Sequence, residues 1–166
     1  MAQSSTSSIA SVSATSRLLH EVYHGPAWHG PAVKEVLRGV GADVAAKRLE
    51  PGRNSIWELV LHLAHGRHLL AERTTNTTHE FPRRIREPWW PIIDYEMTDA
   101  AWQRDLRLLD DCQQRLMHAV VHATPEQLAR TPEGSTHSLS DQLLGMAVHD
   151  GYHAGQIRQL ALHFGA

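Results

Sequence analysis

The chain has 166 residues and a formal net charge of −2, with 16 basic and 18 acidic residues spread along its length, so no basic stripe is present to bind nucleic acid. Its single cysteine, Cys112, excludes an internal disulfide framework and a cysteine-rich zinc module, and it favours a reducing, cytoplasmic location. No apolar run is long enough to cross a membrane, and the polar Ser/Thr/Ala start lacks the pattern of a signal peptide.

The first third of the chain predicts one long helix and a connector. Residues 1–16 are small and polar, and we expect them to be poorly ordered ahead of a single domain over residues 17–166. A first helix follows, with apolar residues near helical spacing, and Gly25-Pro26 ends it. Residues 31–40 predict a short helix, which we interpret as a connector outside the core.

Three further long helices are predicted from capping residues and apolar periodicity. Ser55 opens a capping box, and its helix is predicted to run to about Arg73. Thr98 caps the next long helix, which is predicted to continue to about Ala123. A last helix begins near Ser138, again with a capping box, and carries apolar residues nearly to the end of the sequence.

Residues 74–97 connect the second and third long helices. Their three prolines exclude a regular helix, and a connection of this length indicates an ordered loop with a function. Its arginines, including Arg83, are interpreted as a solvated rim. No segment alternates as a strand does, so the sequence predicts an all-α fold, an antiparallel four-helix bundle with a long crossover loop.

Thirteen histidines stand out against two phenylalanines and three tyrosines. His149 and His153 are four residues apart, so their rings lie one turn apart on the same side of the last helix. A helical wheel places His62 at the edge of the apolar face of the second long helix, with His65 and His68 outside that face. Three imidazoles on two helices predict an open divalent-metal site, although spacing alone equally allows solvated or hydrogen-bonded histidines.

Two ordered motifs resemble the DinB/YfiT-like superfamily. They are SIWELVLHLA at residues 55–64 and HDGYHAGQI at residues 149–157. The segment WHGP at residues 28–31 is also similar to one subgroup of that superfamily, so the resemblance extends over about residues 17–163. It implies a four-helix bundle, usually dimeric.

The resemblance also implies the ligand set and the kind of chemistry. The superfamily's metal is held by one histidine in H-L-A and two in H-x-x-x-H, which are His62, His149 and His153 in this sequence. Some relatives are transferases or isomerases that use low-molecular-weight thiols such as bacillithiol or mycothiol. We therefore expect Zn²⁺, Ni²⁺ or Fe²⁺ as cofactor, a small-molecule substrate that could be such a thiol, and a homodimer.

Two classes of function remain open from the sequence. The first is a metal-dependent enzyme whose ion acts as a Lewis acid in thiol transfer or addition, or in hydrolysis. The second is a noncatalytic metal- or ligand-binding dimer, such as a sensor or carrier. A third, remote alternative is a zinc protease, because His20 to His24 match H-E-x-x-H, but Gly25-Pro26 ends that helix at once.

Four further side chains are candidates for a pocket wall or lid. Trp28 and His29 precede the connector, and Trp89 and Trp90 lie in the crossover loop. Pockets are mostly apolar with few polar groups, which fits these residues. Ordinary packing between loop and bundle explains each tryptophan equally well.

Two polar residues of the last helix are candidates for orienting a ligand histidine. Asp150 falls on the apolar face, where an unpaired carboxylate is costly, so it needs a partner. That partner is either a ligand histidine or a basic group on a neighbouring helix. Gln156 flanks the histidine pair and is the second candidate.

Overall fold

The computed structural model describes residues 14–86 and 89–166. Its elements in chain order are α1 (14–24), α2 (Val33–Val36), α3 (Ala42–Ala45), α4 (Ile56–Thr75), β1 (Ile85–Arg86), β2 (Trp90–Pro91), α5 (Asp99–His122), α6 (Pro125–Ala129) and α7 (Leu139–Phe164). Of the segment predicted to be poorly ordered, residues 14–16 belong to α1 and the rest lies outside the described residues.

The capping residues set the ends of the long helices. Ser55, Thr98 and Ser138 each accept a hydrogen bond from the backbone N–H three residues on, which satisfies one of the free donors of a helix start. Asn76 caps the C-terminus of α4 and Gly165 that of α7, both in the left-handed conformation that closes a helix. The predicted starts and ends of these helices are therefore confirmed to within two residues.

α4 is the central helix, and it packs against both α5 and α7. Along the α4–α7 contact, Arg67 pairs with Asp150 and Arg73 with Gln142. Since the position on α7 falls as that on α4 rises, the two helices are antiparallel.

The crossover loop makes α4 and α5 parallel neighbours. Trp57 donates to Asp105 and Arg67 donates to Gln113, so residue numbers increase in the same direction along the two helices. A long connection can return the chain to the end where α4 began, which a short turn cannot. The all-α four-helix bundle with a long crossover is confirmed, and α4 and α5 are its parallel pair.

The connector between α1 and α4 belongs to the core, so its interpretation as a segment outside the core is wrong. Val33 on α2 and Ala45 on α3 have no exposed surface. α2 packs on α7, and α3 packs on α4, α5 and α7. α3 lies near the end of the bundle at which α4 begins, where Arg48, just after it, pairs with Glu58. Four-residue helices have too little periodicity to reveal a role in the core from sequence.

The wheel placed His65 and His68 outside the apolar face, and the structure buries both. They are 6% and 5% exposed, and the ring of Phe81 lies 5.0 and 5.3 Å from theirs. Phe81 belongs to the crossover, which covers this side of α4. Because the crossover covers a side of α4 that the wheel assigned to solvent, the wheel's division of α4 does not apply there.

The crossover is anchored to α5 through one buried carboxylate. Asp105, which has no exposed surface, accepts hydrogen bonds from Trp57 Nε1 at 2.8 Å, from the Tyr95 hydroxyl and from the Arg83 guanidinium. Arg83 is thus bound to the core, and its assignment to a solvated rim is wrong. Between Arg83 and Tyr95 the chain forms the antiparallel pair of β1 and β2, which the sequence did not predict.

Within residues 14–86 and 89–166, no helix combines the length and the apolar character that crossing a bilayer requires. The boundary of a single domain at residues 17–166 stays a prediction.

Candidate metal centre

Three predicted ligands, His62 on α4 and His149 and His153 on α7, come together between the two helices. His149 Nε2 lies 3.0 Å from His62 Nε2 and 3.1 Å from His153 Nε2. Within the described ranges, this triad is the one group of three or more His, Cys, Asp or Glu side chains whose ligand atoms all lie within 4.8 Å of one another. The antiparallel contact of α4 and α7 produces this convergence.

The outer nitrogens of two of these rings are already hydrogen-bonded. His62 Nδ1 lies 3.2 Å from the Trp89 carbonyl oxygen, and His153 Nδ1 lies 2.6 Å from Gln156 Oε1. An oxygen of either kind can only accept, so both rings carry their proton on Nδ1. Their Nε2 lone pairs therefore point toward His149, as metal binding requires.

Burial keeps these rings neutral near pH 7. It lowers the pKa of His62 to about 4, and the neighbouring His149 and His153 act in the same direction. Burial also lowers the pKa of His153, with His149 again adding to the effect. Neutral imidazoles are the form that binds metal ions.

The spacing of the nitrogens fits a divalent ion. With metal–nitrogen bonds of about 2.0–2.1 Å and angles between tetrahedral and octahedral, neighbouring nitrogens lie about 2.8–3.4 Å apart. The two Nε2–Nε2 distances from His149, 3.0 and 3.1 Å, fall in this range. Three facing lone pairs repel one another unless a cation or a shared proton lies between them, so the donor set suits the group that the sequence predicts.

The crossover loop lies directly over His62. The Trp90 ring stacks on the His62 ring, with centroids 4.2 Å apart and planes 17° apart, and the preceding carbonyl of Trp89 accepts its Nδ1–H. Both predicted tryptophans thus contact the centre, although Trp89 acts through its backbone. Asp105, which anchors the loop, was missed, and its position on the inner stripe of α5 between Trp102 and Leu109 was the available signal.

His29 lies against another side of α7, and the Trp28 ring contacts the His29 ring. A Cβ placed on Gly151 would be 3.7 Å from His29 Cε1, and Gly151 is about 160–200° around the helix from the two ligand histidines. Trp28 is 91% exposed. The structure does not bring these two residues to the triad, and a pocket role for them stays a prediction.

Asp150 finds its partner on a neighbouring helix. Its Oδ2 accepts from Arg67 Nη2 at 2.7 Å, and the two side chains are 1% and 0% exposed. Its Oδ1 lies 4.0 Å from His149 Nδ1. Arg67 was not predicted as a site residue, but an arginine four residues after Leu63, on the apolar stripe of α4, was a readable signal.

The H-E-x-x-H segment on α1 stays apart from the triad. The rings of His20 and His24 lie 4.7 Å apart on an exposed surface, and Glu21 pairs with Arg17 at 3.7 Å. α1 ends at residue 24, and no third ligand joins this pair among the residues that the structure describes. The zinc-protease alternative therefore lacks its metal site.

A groove of about 940 Å³ lies beside the centre, between the turn at residues 49–54 and the second half of α7. Its apolar lining includes Leu59 and Leu160, and its polar lining includes Arg53 and Gln156. Gln156 also accepts from His153, so one side chain joins the groove to the triad.

Of three comparisons with known proteins, the one with family models finds a match. No curated protein and no solved structure matches the chain. The family model described as the DinB superfamily matches residues 27–157, which is more than three-quarters of the sequence and includes all three histidines of the centre. A helical bundle with its histidines on α4 and α7, matched over this length, identifies the chain as a member of the DinB superfamily.

Proposed function

We propose that this protein is a metal-dependent enzyme acting on a small molecule, with one divalent ion bound by His62, His149 and His153. The observation that carries the proposal is the convergence of three Nε2 atoms, two of them on rings whose Nδ1–H is bound elsewhere. Zn²⁺, Ni²⁺ and Fe²⁺ all suit a nitrogen donor set of this kind.

The bound ion supplies Lewis acidity, which suits thiol transfer or addition and hydrolysis. The protein's own residues position the reactants. Gln156 and Tyr152 line the groove, and Gln156 donates to the Tyr152 hydroxyl at 3.0 Å while accepting from His153. The volume of the groove suits a small molecule. A low-molecular-weight thiol is the substrate class that the family resemblance favours.

A noncatalytic sensor or carrier is the second candidate. It is favoured by one observation, which is that the groove is lined by Gln156 but by none of the three triad histidines. Binding in such a groove would reach the ion only through an intervening side chain. Metal binding without turnover of any substrate would support this candidate.

A homodimer and a cytoplasmic location are part of the proposal. Leu144, Val148 and Tyr152 recur every four residues on the outer side of α7 and are 45%, 75% and 63% exposed, which supports an apolar contact between two copies. Val60 is fully buried and adds nothing to this surface. The single cysteine supports the location.

The test begins with metal-free protein reloaded separately with Zn²⁺, Ni²⁺ and Fe²⁺. Elemental analysis should find about one ion per chain in the native protein and a large loss in His149→Ala. Loaded protein is then assayed with thiols plus electrophiles and with esters. Turnover that depends on the metal and is absent from His149→Ala supports the enzyme, whereas stoichiometric binding with no turnover favours the sensor or carrier. No bound metal contradicts both.

A further inference from the structure

One buried arginine, Arg67, contacts all four long helices close to the metal centre. Arg67 of α4 donates to the Leu63 carbonyl in its own helix, to Gln113 of α5 and to Asp150 of α7, at 3.0, 2.9 and 2.7 Å. Its guanidinium also lies 4.7 Å from the ring centroid of Tyr23 on α1. Every guanidinium nitrogen thus has a partner, and the position of Asp150 is fixed relative to the helix that carries His62.

The pairing with Arg67 uses only one of the two oxygens of Asp150. Oδ2 accepts from the arginine, while Oδ1 is buried and has no hydrogen-bond partner in the described part of the chain. A buried carboxylate oxygen without a donor costs free energy, so the missing hydrogen bond requires an explanation.

The nitrogen nearest to this oxygen, His149 Nδ1, also lacks a hydrogen-bond partner. This atom is buried, and it lies 4.0 Å from Asp150 Oδ1, which is about 0.8 Å beyond the usual limit for an N–H···O hydrogen bond. His149 is therefore the one ligand of the triad whose outer nitrogen is free, since His62 and His153 donate to Trp89 and Gln156.

Metal binding determines which nitrogen of His149 carries the proton. When its Nε2 binds an ion, its proton must reside on Nδ1, and that buried Nδ1–H then requires an acceptor. The free oxygen of Asp150 is a charged acceptor already held in place by Arg67. A purely structural ion pair would explain the contact to Arg67 but not the free oxygen facing the free nitrogen.

We propose that Asp150, fixed by Arg67, is the positioning residue for His149: it accepts the Nδ1–H of His149 and thereby sets the tautomer and orientation of this ligand. The inference rests on the proposed metal site. The Arg67–Asp150 pair then has two roles, because it aligns α7 with α4 and also completes the set of outer hydrogen bonds around the triad.

The test separates the two roles by replacing the whole ion pair. Removing one charge would strand the other, so Arg67→Met is combined with Asp150→Leu, which leaves an apolar pair that can fold. A second variant combines Arg67→Met with Asp150→Asn and keeps a neutral acceptor near His149. Tyr23→Phe is the control, because it keeps the ring under Arg67 and removes only the hydrogen bond to Asp110.

Zn²⁺ affinity is measured by competition with a chromophoric chelator, and metal-free stability by thermal unfolding. We expect R67M/D150L to bind Zn²⁺ at least about tenfold more weakly than the native chain, R67M/D150N to lie between them, and Tyr23→Phe to bind normally. This order should not follow the metal-free Tm values. Native affinity in R67M/D150L, or an affinity order that simply follows Tm, would overturn the proposal.

A measurement on the native chain keeps the proposal testable if the double variants do not fold. Histidine ¹⁵N spectra of the Zn²⁺-loaded protein should show His149 protonated and hydrogen-bonded at Nδ1, and an unprotonated Nδ1 would refute the assignment. The two levels of inference fail differently. If the native chain binds no Zn²⁺, the metal site itself is wrong; if His149→Ala loses Zn²⁺ and R67M/D150L does not, only the role of Asp150 is wrong.

Discussion

Replacing Asp105 with Asn should both destabilise the bundle and loosen the metal centre. The carboxylate accepts from Trp57, Tyr95 and Arg83, and it has no exposed surface. Asn has nearly the same shape, but its amide NH₂ must face one of these donors and its neutral oxygen no longer matches the guanidinium charge. Both ends of the loop that covers His62 are attached at this one residue.

The expected cost follows from the burial of the partners. Breaking a fully buried ion pair costs about 3–5 kcal/mol, and a stranded buried donor costs about 1–3 kcal/mol. The Arg83 side chain is 15% exposed and can turn toward water, which reduces the first figure. We therefore expect a net loss of about 2–4 kcal/mol, or a fall in Tm of about 5–12 °C for a chain of this size.

Urea and thermal unfolding measure the loss, and chelator competition measures Zn²⁺ affinity. Asp94→Asn is the matched control, because Asp94 pairs with Arg84 in the same loop but on the surface, where the two side chains are 45% and 72% exposed. It should change Tm far less. If Asp105→Asn unfolds like Asp94→Asn, or loses stability while keeping native Zn²⁺ affinity, the loop does not depend on this anchor to position His62.

Three further predictions concern the centre and the surface. His62→Ala should lower metal content at least about tenfold, whereas His65→Ala, although buried, should lower Tm and leave metal content unchanged; equal metal loss in both would contradict the assigned ligand set. Light scattering at micromolar concentration should give a dimer mass for the native chain and a monomer mass for Val148→Glu, and a native monomer would remove the proposed interface. The pKa of His62 is lowered to about 4 in the fold, below an unfolded value near about 6.5, so its contribution to stability is complete above pH 6.5 and is lost as pH falls toward 4. Bound metal should steepen that loss, so the Tm difference between metal-loaded and chelator-treated protein should shrink from pH 7 to 5, and a constant difference would mean that the ion is not held by histidines.

Much of the fold could be read from local chemistry. Side chains such as Ser55, Thr98 and Ser138 satisfy backbone donors within one turn, so a few adjacent residues are enough to predict where a helix starts. The spacing of His149 and His153 fixes their relative position in the same way, because both lie on one helix. These features need no information about which helices are neighbours.

What the sequence by itself determined is therefore the set of helices, their ends and the pair of histidines on α7, with His62 added by its place at the edge of a stripe and by family resemblance. The tertiary structure alone decided what covers each helix. The crossover buried His65 and His68, and its attachment to Asp105 brought the Trp89 carbonyl to His62. These outcomes depend on contacts between residues far apart in the chain, which propensity and periodicity do not encode.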